Sequence, residues 1–379
     1  MGPLKGIRII EMGGIGPSPF AAMLLSDMGA EVIRIERASS PQASPFEATL
    51  RGRKSIALNL KDERGIALVK RLLATADGLI EGFRPGVMEK LGLGPEDCWQ
   101  VNPRLVFGRM TGWGQTGPLA QVAAHDINYI AITGALDTIG RRDGGPVPPL
   151  NLLGDFGGGG AYLVIGMLAA MLEAKSSGKG QVVDAAISDG VASLMVMIQG
   201  YRAMGMWELE RQNNLFDGGP QYYDTYECAD GKWISLGAIE MHFYQQLVEK
   251  LGLTEEVGEI DYPAQFDKQK WQQLKPVFAA RIREKTRDEW CEIFAGSDAC
   301  FAPVLSMDEA YRYPHNVERG TFVDIGGVTQ AAPAPRFSRT VSEIQGPPVA
   351  AGADNEQVLM AAGLSADEIA ALRDAGVVC

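Results

Sequence analysis

Histidine is scarce in this chain of 379 residues, with three in all, and the five cysteines are scattered. Cys98, Cys228, Cys291, Cys300 and Cys379 form no C-x-x-C pair and no framework spacing, which excludes a disulfide scaffold. They read as free thiols of a reducing cytosol, and no metal site is expected. Positive charge is also short: 35 Lys and Arg stand against 47 Asp and Glu, a net charge of −12. That balance excludes nucleic acid and an anionic membrane surface as partners, because both need a basic face. The apolar stretches are broken by glycine or charge before the ~18 residues of a membrane span, so no membrane segment is expected. The first residues, MGPLKGIRIIEMGG, run straight into a strand without a signal-peptide pattern, which suggests a cytoplasmic protein. Internal repeats are absent.

Two nucleotide motifs are also missing. Gly14-Ile15-Gly16 follows a strand and Glu36 ends the next, as in a dinucleotide fingerprint, but the third glycine is absent. Pro17 and Pro19 remove N–H donors that a pyrophosphate needs. In S-G-K-G, Gly180 stands where a Walker motif requires Ser or Thr, which argues against ATP.

What remains is an ordinary globular composition, 46% hydrophobic and 22% charged, long enough for about two domains. Short apolar runs at Ile7–Glu11, Glu31–Arg37, Ser55–Leu58, Gly78–Glu81 and Leu105–Met110 alternate with helical patterns, which predicts a parallel sheet with helical crossovers. Asn59 is the expected cap of the helix carrying Ile66, Val69, Leu72 and Leu73. The texture changes at Arg211–Pro220, and Tyr222–Ala238 alternates around Ala229-Asp230-Gly231-Lys232 as a hairpin does. The expected division is a large α/β domain from 1–200, a linker at 201–221, a small α+β domain at 222–320, and a return through 321–379. Ser365 and Glu368 spell a capping box in that last part.

The stretch from Ala124 to Gly160 concentrates chemistry. It begins with His125-Asp126 and ends with Asp155, Phe156 and four glycines. An imidazole and a carboxyl from two loops give two proton-passing groups near neutral pH. The glycines let backbone approach a ligand. Taken alone, a His-Asp dipeptide also suits a surface pair, and a glycine run a turn. Arg37, Arg51, Arg53, Lys54, Lys61, Arg84 and Lys90 fall at strand ends, loops and helix starts, where open α/β sheets bind ligands. In so acidic a chain, several of them read as a phosphate site. Met195, Met197, Met204 and Met206, beside Trp207, suit core filling or an adaptable apolar surface.

Longer strings carry a resemblance. GIRIIEMGGIGPSPFAAMLLSDMGAEVIRIE, FRPGVMEKLGLGP, RMTGWGQTGP, AHDINYIAITG and PPLNLLGDFGGGG look like the family III CoA transferases and racemases, and the likeness extends through nearly the whole chain. Ala124 where Gly usually stands, and Met241 where Pro is common, depart from that pattern. The resemblance implies a large Rossmann-like domain built from both chain ends, a small domain from the middle, and an interlocked homodimer. It implies no prosthetic group, coenzyme A entering as part of an acyl-CoA substrate. By resemblance Asp155 is the carboxylate common to the family, and His125 with Glu240 the pair that racemases add. Asp126 is a second possible partner for His125. His242 and His315 compete less well for the catalytic role. The same resemblance lays CoA along Arg37, Lys61, Arg84 and Lys90, with adenine near the Ala57–Leu60 strand end and with Tyr129, Gly16 and the methionines along the pantetheine and acyl path. The expected reaction is epimerisation at the α-carbon of a 2-methylacyl-CoA. There the N–H groups of Asp155 and its neighbours would meet the enolate oxygen. CoA transfer between carboxylic acids, through an aspartyl anhydride, is the alternative. A non-catalytic acyl-CoA binder comes third.

Overall fold

The structure, a computed structural model, describes residues 2–37, 44 and 46–379. Its contacts divide the chain into two units. The first comprises Met1–Thr133, Pro149–Leu194 and Glu318–Cys379; the second comprises Gly134–Pro148 and Met195–Val317.

The first unit is built on a six-stranded sheet, β1 (Arg8–Met12), β2 (Glu31–Glu36), β3 (Arg53–Ala57), β4 (Gly78–Glu81), β5 (Val106–Thr111) and β6 (Val182–Ala186). All pairings are parallel, in the order β3-β2-β1-β4-β5-β6. Strands such as Ile9, Ile10, Val32, Ile33, Leu79 and Ile80 are apolar almost throughout because helices cover both faces. The helix Glu63–Leu73 buries Leu68, Val69, Leu72 and Leu73 against that sheet, each such side chain contributing roughly 1.5–3 kcal/mol. Its cap is Asp62, which accepts the Arg64 N–H at 2.9 Å, and not Asn59, which lies three residues too early and instead accepts from Lys61. The capping box at Ser365 and Glu368 forms as expected.

The glycine run is not a loop. Leu152–Ala161 is π-helical and continues without a break into the helix Tyr162–Ser177. The combined 26 residues are long and apolar enough, by length and composition, to cross a membrane, so the interruption expected at the glycines does not occur. The buried side of Tyr162–Ser177, with Leu163, Met167, Ala170 and Ala174, packs on β5 and β6 as a core helix does.

The second unit holds the antiparallel sheet β7 (Tyr223–Glu227), β8 (Trp233–Gly237) and β9 (Phe301–Val304). Helices Met241–Leu251 and Lys268–Ile282 close a core of Tyr222, Tyr244, Trp271, Phe278 and Trp290. The hairpin turns at Asp230-Gly231, with the Cys228 N–H bonded to the Lys232 carbonyl. Gly134–Pro148 belongs to this unit, whereas the sequence pattern had placed it in the large domain. Arg141 pairs with Asp224 at 2.6 Å, and Arg211 reaches Asp137 and the Gly144 carbonyl. The 201–221 stretch is also more than a linker: the Asn214 amide bonds to the Glu208 carbonyl and to the Asp217 carboxylate.

Candidate active site

In an open parallel sheet, ligands bind beyond the carboxyl ends of the strands, where the strand order reverses. Here that place lies between β1 and β4, and Gly13–Gly16 leave β1 to enter the helix Pro17–Asp27. Gly16 has a φ of 70°, which glycine adopts without strain. A Cβ on it would stand 3.4 Å from Asp155 Oδ2. The candidate carboxyl therefore sits at the switch point of the sheet.

The glycines after Asp155 serve packing. A Cβ on Gly158 would meet Val191 Cγ2 at 2.6 Å, and one on Gly160 would meet the Phe20 ring at 2.7 Å. They bring the helix against its neighbours rather than opening backbone to a ligand. Phe156 stacks on Phe20 with ring centres 4.4 Å apart, which fixes the turn that carries Asp155. The backbone N–H of Asp155 donates to Asp126 Oδ2 at 2.6 Å, and that of Phe156 donates to the Asn151 carbonyl. Neither is left for the oxygen of a bound thioester, contrary to the sequence expectation, because the Asp126 side chain and the capping residue Asn151 take these donors of the opening turn.

Asp155 is half-buried. Burial raises its carboxyl above the ordinary range, and the negative charge of Asp126 raises it further; a bond from Asn151 and the charge of His125 pull the other way. The sequence reading missed Asn151. Its i,i+4 spacing to Asp155 on a helical turn is the signal that points to it. His125 is exposed and caps the helix Asp126–Ile132, its N–H bonding to the Asn128 side chain at 3.1 Å. Tyr129 lies one turn on. Its hydroxyl donates to the Ala124 carbonyl, and its ring packs edge-on to Trp113 at 4.7 Å and over Gly112, where no Cβ fits. Burial and the Asp155 charge push its phenol up. His125, Asp126, Tyr129 and Asp155 thus form one cluster in the first unit.

Glu240 belongs to the second unit. It is exposed at the start of the helix Met241–Leu251, and its carboxylate makes no capping bond. His242 in that helix lies against Phe243, ring centres 3.9 Å apart, and His315 is exposed in Pro314–Arg319. Met197, Met204 and Met206 are exposed and Trp207 is buried, so these methionines do not fill the core of their unit.

The basic residues divide in two. Arg51 is buried and pairs with Asp27 at 2.5 Å, Arg53 pairs with Glu11 at 3.1 Å, and Lys54 pairs with Glu31 at 2.8 Å. These three hold the scaffold and are not free for a phosphate, because the sheet supplies Arg53 and Lys54 with carboxylates and the helix Pro17–Asp27 supplies one to Arg51. Arg37, Lys61, Arg84 and Lys90 are all exposed beyond the carboxyl ends of β2, β3 and β4. Glu36, the ribose-acid position of a dinucleotide site, is buried and bonded by Ser55 Oγ at 2.5 Å. Ala57 does not offer itself to adenine. It is 3% exposed, its N–H donates to Asn355 Oδ1, and its carbonyl accepts the Cys379 N–H. The returning C-terminal segment occupies the edge of β3 that the sequence pattern leaves open.

The chain matches CoA-transferase family III over residues 4–355, and it belongs to that family. It is 43% identical to "Alpha-methylacyl-CoA racemase" of Mus musculus, across 99% of this chain and 97% of that protein. It is 28% identical to "Succinyl-CoA:glutarate CoA-transferase" of Mus musculus, across 92% of this chain and 84% of that one. Among solved structures it resembles a CAIB/BAIF family protein from Brucella suis, with a TM-score of 0.80, 25% identity, and coverage of 95% and 99%.

Proposed function

We propose that the protein is a racemase that epimerises the α-carbon of 2-methylacyl-CoA thioesters by 1,1-proton transfer through an enolate. The observation that carries this reading is the cluster of His125 with a half-buried Asp155, whose carboxyl is raised by burial and by a second carboxylate. Inversion α to a carbonyl needs a base on one face and an acid on the other. An imidazole suits the first role, with Glu240 orienting it. A carboxyl raised above its usual range gives up less readily the proton it must return. A transferase nucleophile needs the opposite, an ionised aspartate. The 43% identity to a racemase, against 28% to a transferase, supports the same choice.

Coenzyme A enters as part of the substrate, with no prosthetic group. Lys61, Arg84 and Lys90, exposed at the strand ends and without an ion pair among the described residues, suit its phosphates, as does Arg37 just after β2. The exposed Ile15, beside Gly16, suits the acyl path. The reading includes an interlocked homodimer, which would allow Glu240 of one copy to serve the partner's His125. It also includes a cytoplasmic setting, which the five free thiols suit. The test is incubation of each pure epimer in D₂O. Loss of optical purity with α-deuterium incorporation is the expected result. Transfer of CoA to a free acid without exchange would select the transferase. If His125→Ala and Asp155→Asn block exchange of opposite epimers, each group serves one face; equal loss with both epimers would leave a single base.

A further inference from the structure

None of these proton transfers uses Asp126, yet it is buried at 7% exposure directly after His125. Its two oxygens are treated unequally. Oδ2 accepts the Asp155 N–H at 2.6 Å, whereas Oδ1 is buried without a hydrogen-bond donor among the described residues. Burying a half-satisfied carboxylate costs free energy, so a purely structural role is poorly served by this arrangement. Residue 154 makes room for it: a Cβ on Gly154 would stand 2.2 Å from Oδ2. The carboxylate thus occupies the opening turn of the helix that bears Asp155, where N–H groups lack intrahelical acceptors and the dipole is positive. No bond joins it to the imidazole of His125 among the described residues.

We infer that Asp126 is a positioning residue for Asp155, clamping the backbone of the turn that carries it and setting a second carboxylate beside it. It is therefore not the partner of His125. Two neighbouring carboxylates resist joint ionisation, which keeps a proton on the one that must give it away. The titratable groups bearing on Asp155 are Asp126, His125 and Tyr129; of these Asp126 raises the carboxyl and His125 lowers it. The inference rests on the reading of Asp155 as the acid.

The experiment measures α-deuterium exchange of each epimer of a 2-methylacyl-CoA against pH, with thermal melts alongside. Asp126→Asn keeps an acceptor for the Asp155 N–H but removes the charge. The alkaline limb, where Asp155 loses the proton it must give, should move to lower pH by about one unit, with a melting temperature near the parent's. Asp126→Ala and Gly154→Ala remove or displace the acceptor, and kcat should fall by about 10²-fold with KM little changed. A structural role alone would lower the melting temperature and leave the alkaline limb in place. An unmoved limb in Asp126→Asn, together with parental kcat in Gly154→Ala, would overturn the inference even if Asp126→Ala fails to fold. Asp155→Asn separates the two readings. If it retains exchange with both epimers, Asp155 is not the acid; if it is inactive while the Asp126 and Gly154 variants behave as the parent does, only the positioning role falls.

Discussion

Two carboxyl groups lie along β1 and the loop that leaves it, and they are held in opposite ways. Glu11 is fully buried, and two guanidiniums answer it: Arg34 at 2.5 Å and Arg53 at 3.1 Å. Asp155, against Gly16 a few residues further along, is half-buried with another carboxylate beside it and, among the described residues, no ion pair of its own. A charge answered by opposite charge is a fixed part of the scaffold, and changing its ionisation threatens the fold. A carboxyl set beside a like charge is free to gain and lose a proton, which is what chemistry requires. The same division runs through the basic residues, between buried Arg51 and Arg53 and exposed Lys61, Arg84 and Lys90.

The sharpest break of the comparison sets Asp155→Asn beside Glu11→Ala. Asp155→Asn should lower epimerisation by at least about 10²-fold, the value of a lost acid–base group, without lowering the melting temperature. Removing one of two adjacent carboxylates relieves repulsion, so the melt should hold or rise. Glu11→Ala leaves buried Arg53 without its carboxylate and Arg34 with only Glu36 at 3.4 Å, and should destabilise the fold by about 3–5 kcal/mol, with activity falling only as folded protein does. Paired activity assays and denaturant titrations read both. If Asp155→Asn unfolds, or Glu11→Ala is stable, the contrast is wrong.

Glu81 tests the intermediate case. It ends β4, buried, with Arg109 at 3.7 Å and the Phe83 N–H at 2.7 Å, and burial nonetheless pushes its carboxyl up to about 7. A folded value above the unfolded one means the folded state holds its proton more tightly. The stabilisation is therefore complete below about 4.5 and is lost as pH rises through about 7, a change on the order of 3 kcal/mol. Stability should decline from pH 5 to pH 8, and Glu81→Gln should flatten that decline. An unchanged slope in the variant would assign the decline to other groups.

Much of this was legible in the sequence because it is local. Runs such as Gly78–Glu81 and the Tyr222–Ala238 hairpin follow from apolar period and turn residues, and Ser365-x-x-Glu368 from capping chemistry. Long-range partners were not legible. Arg51 and Arg84 look alike in sequence, and only the fold brings Asp27 and Gln330 to Arg51, the latter 279 residues away. Ala57 read as an open strand end because Asn355 and Cys379, which cover it, lie at the far end of the chain. Four glycines read as a loop because their helical alternative needs neighbours close enough to exclude every side chain, as Val191 and Phe20 are here. The role of Asp126 was hidden for a similar reason, since its acceptor function depends on an N–H 29 residues on.

The smallest effect sharpens the comparison at the rim. Arg84 follows β4, exposed and without an ion pair among the described residues, so its charge is available to a ligand. A charge-assisted bond to a phosphate contributes about 1.5–3 kcal/mol. Arg84→Ala should therefore raise Kd for a CoA thioester by roughly 10- to 150-fold at unchanged melting temperature, because no folded-state partner is lost. A truncated thioester without the nucleotide should be affected far less, since it carries no phosphate to lose. Added salt should narrow the gap between parent and variant on the full substrate, because this contact is open to solvent. Lys61→Ala and Lys90→Ala should follow the pattern with smaller losses, an ammonium lacking the bidentate geometry of a guanidinium. Equal losses on both thioesters would mean that Arg84 shapes the loop rather than meeting phosphate. The line between scaffold and rim would then have to be drawn on the other side of it.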